Sequence, residues 1–345
     1  MKRLRIILVS AAAVVAMMAA GGWWYAQRET AQAVRRMFID ADLVGRVAYG
    51  STSYNPLTGV VSIHDVRPVG DEESFPITLG TLEIIDWKRE ADLVAAAHVK
   101  LVDLRINVLD VARRQFEEGH SILSVRLTDP PAKILQDPLQ ALVVLGYRDL
   151  TGHADVDYQY DPGDAALQWS ISFGFARMGE LRLHVGLDGI KPKLIRTIAE
   201  IANQASTDNP LAALGGMAML SGQKKAAEQI GITDFGLSYV DEGLVNRYKQ
   251  YYDVHRFRLP GDPSQLELNQ SQVGELTAQV LRFGLPEDTA RSSVEAIARF
   301  SKQPRRLVLR TNIVEPIRLT RIVDGWGDPK AVSKLVFLTG AEVTN

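Results

Sequence analysis

The stretch "HADVDYQYDPGDAALQWSISFGFARMGELRLHVGLDG", His153 to Gly189, decides the fold. Its first segment alternates with a period of two, so that Ala154, Val156, Tyr158 and Tyr160 share one side while Asp155, Asp157, Gln159 and Asp161 share the other. "DPGDA" then punctuates the chain as a turn. "LQWSISFGF" puts Leu167, Trp169, Ile171, Phe173 and Phe175 on one side, and after "ARMGE" the segment "LRLHVGLDG" keeps Leu181, Leu183, Val185 and Leu187 in phase. Alternating segments joined by short Gly- and Asp-containing turns pair as antiparallel neighbours. The spacing therefore predicts a meander with one strongly apolar face. Leu167, Trp169, Ile171, Phe173, Phe175, Leu181, Leu183 and Val185 are the candidate face for lipid or a protein partner, although the same residues also suit the inside of a closed core.

Upstream, "LGTLEIIDW", "HVKLVDLRINVL" and "SILSVRL" alternate in the same way and extend the predicted sheet over residues 48–190. "YNPLTGVVSIHDVRPVG", Tyr54 to Gly70, begins with a turn at Asn55-Pro56. Val61 and Ile63 share a face but the next apolar residue, Val66, comes three positions later, which predicts a bulge or bend at His64-Asp65 in the first curved strand of the sheet. Beyond residue 190 the period lengthens. "KPKLIRTIAEIANQA", "LVNRYKQYYDVHRF", "QSQVGELTAQVLRFG" and "PEDTARSSVEAIARFSKQP" read as helices, and "NPLAALGGMAMLSGQKKAAEQIG" as a flexible, Gly-interrupted element. "ITDFGLSYVD", "RRLVLRTNIVEPIRL" and "LVFLTGAEV" read as returning strands. The expected class is α+β, a curved, trough-like antiparallel sheet with helices against or after it, and residues 191–345 form a helix-rich part of the same fold.

The N-terminus carries Lys2, Arg3 and Arg5, then no charge from Ile6 to Gln27, and ends its apolar run at Trp23, Trp24 and Tyr25. About 20 mostly apolar residues span a bilayer, and Trp and Tyr favour the headgroup layer. Residues 1–26 are thus expected to be a transmembrane helix with Trp23, Trp24 and Tyr25 at the interface, or else a cleaved signal peptide. An amphipathic connecting helix follows over 27–47, with Val34, Met37, Phe38, Ala41 and Val44 at helical steps. The basic flank predicts a single-pass bacterial inner-membrane protein, N-terminus cytoplasmic and body periplasmic.

Composition excludes several classes. A formal charge of -2 gives no basic field for nucleic acid, and the absence of cysteine removes disulfides, thiolate metal sites and a Cys nucleophile. No nucleophile elbow, phosphate loop, dinucleotide fingerprint or H-E-x-x-H helix occurs. The histidines at 64, 98, 120, 153, 184 and 255 never fall at metal-ligand spacing, and His98 and His153 read as strand starts. Asp155, Asp157 and Asp161 share a strand face, but neighbours two apart lie roughly 6.5 to 7 Å from each other, too far for compact cation binding. Asp241, Glu242 and Gly243 read as the turn that starts the next helix. No catalytic, metal or cofactor-binding residue is assigned, and no cofactor is expected.

The anchor, the "YNPLTGVVSIHDVRPV" and "LGTLEIIDW" strands, and the hairpins "LQWSISFGFARMGELRLHVGLDGI" and "GITDFGLSYVDEGLVNRY" give the chain a layout that resembles AsmA-like bacterial envelope proteins and their short relatives. That resemblance implies a trough-like sheet that shields acyl chains, with no catalytic motif to carry over. The expected function is a non-enzymatic, membrane-anchored periplasmic protein that binds or shields lipid or supports envelope assembly. Its expected partners are the cytoplasmic membrane, phospholipid and another envelope protein, without nucleic acid. The rival readings are an interaction or assembly factor with a closed core, and an envelope hydrolase with dispersed Asp, Glu and His.

Overall fold

The structure, a computed structural model, describes residues 29–36, 38, 47–69, 77–90, 93–117, 138–196, 228–255, 270–282, 286–318, 320 and 342–344. Period-two alternation commits nearly half of them to strands. These are β1 (Val47–Ala48), β2 (Ser51–Asn55), β3 (Val60–Pro68), β4 (Ile77–Glu90), β5 (Leu93–Asn107), β6 (Asp149–Asp161), β7 (Ala166–Phe175), β8 (Gly179–Asp188), β9 (Gly231–Asp241), β10 (Arg306–Arg310), β11 (Ile317–Arg318) and β12 (Glu342–Thr344). They join in one open antiparallel sheet in the order β1-β3-β4-β5-β6-β7-β8-β9-β10-β12, with β2 beside β3 and β11 beside β9. Neighbours in the sheet are thus mostly neighbours in sequence.

The α+β class and the central meander match the alternation. β6 and β7 pair without a break from Gly152↔Phe175 to Asp161↔Ala166, and β7 and β8 from Leu167↔Leu187 to Phe175↔Gly179. Asp161 makes the first turn, its Oδ1 accepting the Gly163 N–H at 2.8 Å and the Asp164 N–H at 3.2 Å. It is a turn residue.

The bend expected at His64-Asp65 is present. His64 pairs with Thr81 and Val66 with Leu79, and Asp65 between them has φ 56°. Across β4, Asp103 has φ 57° and sits between Val102, which pairs with Thr81, and Leu104, which pairs with Leu79. Gly80 therefore stands between two residues with left-handed backbone, and a Cβ on it would come 2.7 Å from that of Asp103. Against β6 the register shifts between Leu101 and Leu104, which gives β5 one extra residue there, and such a bulge bends a strand and increases its twist. β3 is not the first strand, because β1 and β2 lie outside it and β2 closes a hairpin through the expected Asn55 turn, whose Oδ1 accepts the Leu57 N–H at 3.0 Å.

Among the described residues, the helices beside the sheet include α1 (Val108–Glu117), α2 (Pro138–Val144), α3 (Leu244–His255), α4 (Gln270–Arg282) and α5 (Glu287–Lys302). The strand expected through "HVKLVDLRINVL" stops at Asn107 because its Oδ1 accepts the Asp110 N–H at 2.9 Å, an N-cap that opens α1. "RRLVLRTNIVEPIRL" is not one strand either; it splits into β10 and β11 on either side of 311–316, where Pro316 cannot donate to a ladder. "SILSVRL" and the 209–227 part of the Gly-interrupted element lie outside the described residues, as does all but the end of "LVFLTGAEV".

Residues 29–36 are helical, and Val34 and Phe38 are buried on Ile63 and Ile84 of the sheet, with the Phe38 ring 5.0 Å from that of Tyr49. A second cluster joins Leu93, Tyr160, Ile190 and Ile230, and a third joins Val108, Tyr147 and Leu150.

The expected membrane topology is corrected. Among the described residues no helix is long and apolar enough to cross a membrane. The longest, α5, has 16 residues and buries an alanine-rich stripe rather than an all-round apolar surface, against the roughly 20 apolar residues a bilayer requires. Residues 1–26, to which the transmembrane helix or signal peptide was assigned, and Trp23, Trp24 and Tyr25 with them, lie outside the described residues. The single-pass inner-membrane placement, the periplasmic location, the cytoplasmic membrane as partner and the membrane-anchored envelope function all rested on that helix, and the structure supports none of them.

Candidate functional site: the two faces of the sheet

Strand pairing assembles the apolar sides of the strands into continuous rows. One row runs Val61, Ile84, Val99, Val156, Ile171, Leu183, Leu237, Leu309 and Val343, each residue the direct partner of the next. At a strand spacing of about 4.8 Å it is roughly 38 Å long. A second row runs Ile63, Leu82, Leu101, Ala154, Phe173, Leu181, Tyr239 and Leu307.

Packing covers the margins of this face. The N-terminal helical segment lies on β3 and β4. α5 packs along β10 and β12 and brings Phe300 to 6.1 Å from the Tyr239 ring. Of the eight residues expected on the binding face, Leu167 belongs to the cluster around Tyr160, and Phe175 to the cluster around Val108. The other six lie between those ends as the direct pairs Ile171–Leu183 and Phe173–Leu181 of these rows and Trp169–Val185 beside them, and Phe173 and its partner Leu181 are 39% and 41% exposed. Two large apolar side chains left this open at the middle of a sheet face are unusual among residues otherwise committed to burial.

The opposite face is polar. β7 presents only Gln168, Ser170, Ser172 and Gly174 there, while its neighbours present longer side chains, so a cleft of about 720 Å³ opens over β5 to β8, lined by His98, Lys100, Asp155, Asp157, Ser172 and Arg182 among others. His98 Nε2 lies 3.2 Å from Asp155 Oδ1 and Lys100 Nζ 3.6 Å from Oδ2 of the same carboxylate. On β8 and β9, His184 Nε2 lies 3.1 Å from Asp234 Oδ2. His64 is bracketed by hydroxyls, Ser53 Oγ at 3.2 Å and Thr81 Oγ1 at 3.1 Å. The expectation that His98 and His153 begin strands is corrected, since both sit inside their strands. Sequence spacing hid the two His–Asp pairs because their members are 57 and 50 positions apart and meet only through strand register. Among the described residues no group of three or more histidines and carboxylates converges to hold a metal ion.

Tyrosines clasp the turn between β7 and β8. Tyr147 Oη donates to the Arg177 carbonyl at 2.8 Å, and Tyr239 Oη lies 2.7 Å from the Met178 carbonyl and 3.0 Å from Asp241 Oδ1. Arg177 has φ 66°, and the Arg247 guanidinium lies 4.5 Å above the Tyr147 ring. Burial raises the Tyr239 pKa well above the ordinary tyrosine value, and the bond to Asp241 raises it further; burial raises that of Tyr147, which Arg247 partly offsets. Asp241 also caps α3, its Oδ1 accepting the Val245 N–H and its Oδ2 the Gly243 N–H, both at 3.0 Å. These groups are structural.

A family model described as "Uncharacterized protein" matches residues 172–345, half of the chain, and the chain belongs to that family. No curated protein matches it.

Proposed function

We propose that this member of an uncharacterized family is a binding protein whose apolar sheet face receives a single extended hydrocarbon chain, with no reaction assigned to it. The observation that carries the reading is the exposure of Phe173 and Leu181 in the middle of rows that are covered at their margins. A covered core leaves no such gap, since interiors pack to the density of organic crystals. Size supports the same reading. From β6 to β9 the rows extend roughly 14 Å at the strand spacing, close to the 15 or so Å of one acyl chain in a 30 Å bilayer core. The family match is to an uncharacterized group and brings no ligand. Membrane attachment forms no part of the proposal.

Trp169 sits in the row beside Ile171 and faces the same way, which supplies a reporter. A fatty acid brominated along its chain is expected to quench the full-length protein saturably, with the quenching reduced in Trp169→Phe. Leu181→Glu, at a position already open to water, leaves the fold intact and is expected to weaken binding at least tenfold. Saturable quenching that Leu181→Glu does not change, or no saturable quenching at all, rejects the proposal.

A further inference from the structure

The polar face holds a second recess, at β9 rather than β7. Here β9 points Gly236 and Ser238 outward. Each is flanked on both sides: Gly236 pairs with His184 on β8 and Arg310 on β10, and Ser238 pairs with Arg182 and Val308. Arg306, two residues along from Val308, completes a recess of about 140 Å³ whose lining contains three arginines and a histidine but no carboxylate.

Gly236 is the informative residue. Its φ lies outside the left-handed region, and a Cβ built on it would meet only the Cβ of His184 at 3.9 Å, ordinary contact. Neither backbone conformation nor close packing therefore requires glycine, which weakens a strand interior by its conformational freedom and its lack of a side chain to pack. What the missing side chain does is leave the floor open. His184 and Arg310 stand one strand away on each side, so their backbones are about 10 Å apart across an empty centre. A tetrahedral oxyanion bonded at about 2.8 Å to groups on both walls fills such a gap.

We infer that the recess over Gly236 binds a phosphate-type oxyanion, with Arg310 and Arg182 as its cationic walls and Ser238 Oγ as a neutral donor. The acids around it are accounted for. Glu180 takes one Nη2 bond from Arg182 at 2.9 Å, which leaves most of the five guanidinium donors. Asp234 engages His184 Nε2 and so fixes that ring. Glu342 stands in register with Arg310 on β12, on the side away from Gly236. All the lining residues lie within the stretch that the family model matches. The recess is on the opposite face from the acyl row, so the two proposals stand or fall separately.

The test is calorimetric titration of the full-length protein at low salt, with inorganic phosphate in one arm and glycerol phosphate in the other. Binding by both is expected, and tighter binding by the ester would make an organic phosphate the natural source. Arg310→Gln is expected to weaken binding at least tenfold. Gly236→Thr puts a strand-favouring side chain on the floor; it is expected to hold or raise the thermal midpoint while abolishing binding, which separates an occupied site from a damaged fold. If neither probe binds saturably, or if a folded Gly236→Thr or Arg310→Gln protein binds as the parent does, the inference is wrong.

Discussion

Tyr239 shows how much one side chain coordinates. Its hydroxyl ties the β7–β8 turn, through the Met178 carbonyl, to Asp241, which in turn caps α3. Burial and the Asp241 bond both favour the neutral phenol and put its folded pKa above the unfolded value of about 10. A raised pKa contributes stability that is complete below about pH 10 and is lost as pH climbs through and beyond that value. Tyr239→Phe is expected to cost about 1 kcal/mol at pH 8 and to make the decline between pH 9 and 11 shallower. Tyr147, Tyr158 and Tyr160 are raised by burial as well, so the decline should be reduced rather than removed. Urea midpoints at pH 8 and pH 10.5 for both proteins decide this, and parallel declines refute it. Asp65 tests the left-handed bend of β3 in the same spirit. At φ 56°, Asp65→Gly should be neutral or slightly stabilising, and Asp65→Val should cost about 1 to 2 kcal/mol because a β-branched residue disfavours the left-handed region.

Among elements, the helical segment at 29–36 is the one whose removal should be felt most. Phe38, just beyond it, is 4% exposed and stacks edge-on with Tyr49 over Ile63 and Ile84. Phe38→Ala is expected to cost about 3 kcal/mol by lost burial and the cavity left behind, measurable as a lower urea midpoint with unchanged m-value. Its apolar spacing was legible in the sequence, as were the three central strands and the bend at Asp65, because each is a local pattern. What was not legible had a competing local cause. Asn107 capped a helix where hydrophobic alternation still read as strand, and the break before Pro316 divided an apparently continuous one. The membrane helix was inferred from an apolar run with a basic start and an aromatic end, and no described element corresponds to it. The candidate site was half readable: alternation names the residues of the apolar face, but register decides that Phe173 and Leu181 meet, that Asp155 finds His98, and that three arginines line one recess with Gly236.

For the whole molecule, sequential strand order means that stability is distributed by the length and continuity of each ladder. β6, β7 and β8 share ten and nine consecutive pairs with no irregularity. On either side the ladders are interrupted, by shifts in β4–β5 and β5–β6 and between Gly186 and Leu187 in β8–β9. The outermost strands are short, five residues in β2 and three in β12. Local opening starts where few buried contacts and few bonds must break together, so protection should be graded from the centre outwards. Amide hydrogen exchange is expected to be slowest at ladder-bonded positions in β6, β7 and β8. Exchange in β2 and β12 is expected to be at least a hundredfold faster under the same native conditions, corresponding to openings about 2.7 kcal/mol easier. A bound acyl chain would lie across the slow strands and should leave that order unchanged. Equal protection in β2, β7 and β12 would instead mean that the sheet opens only as one cooperative unit, and that the interruptions in its ladders do not divide it.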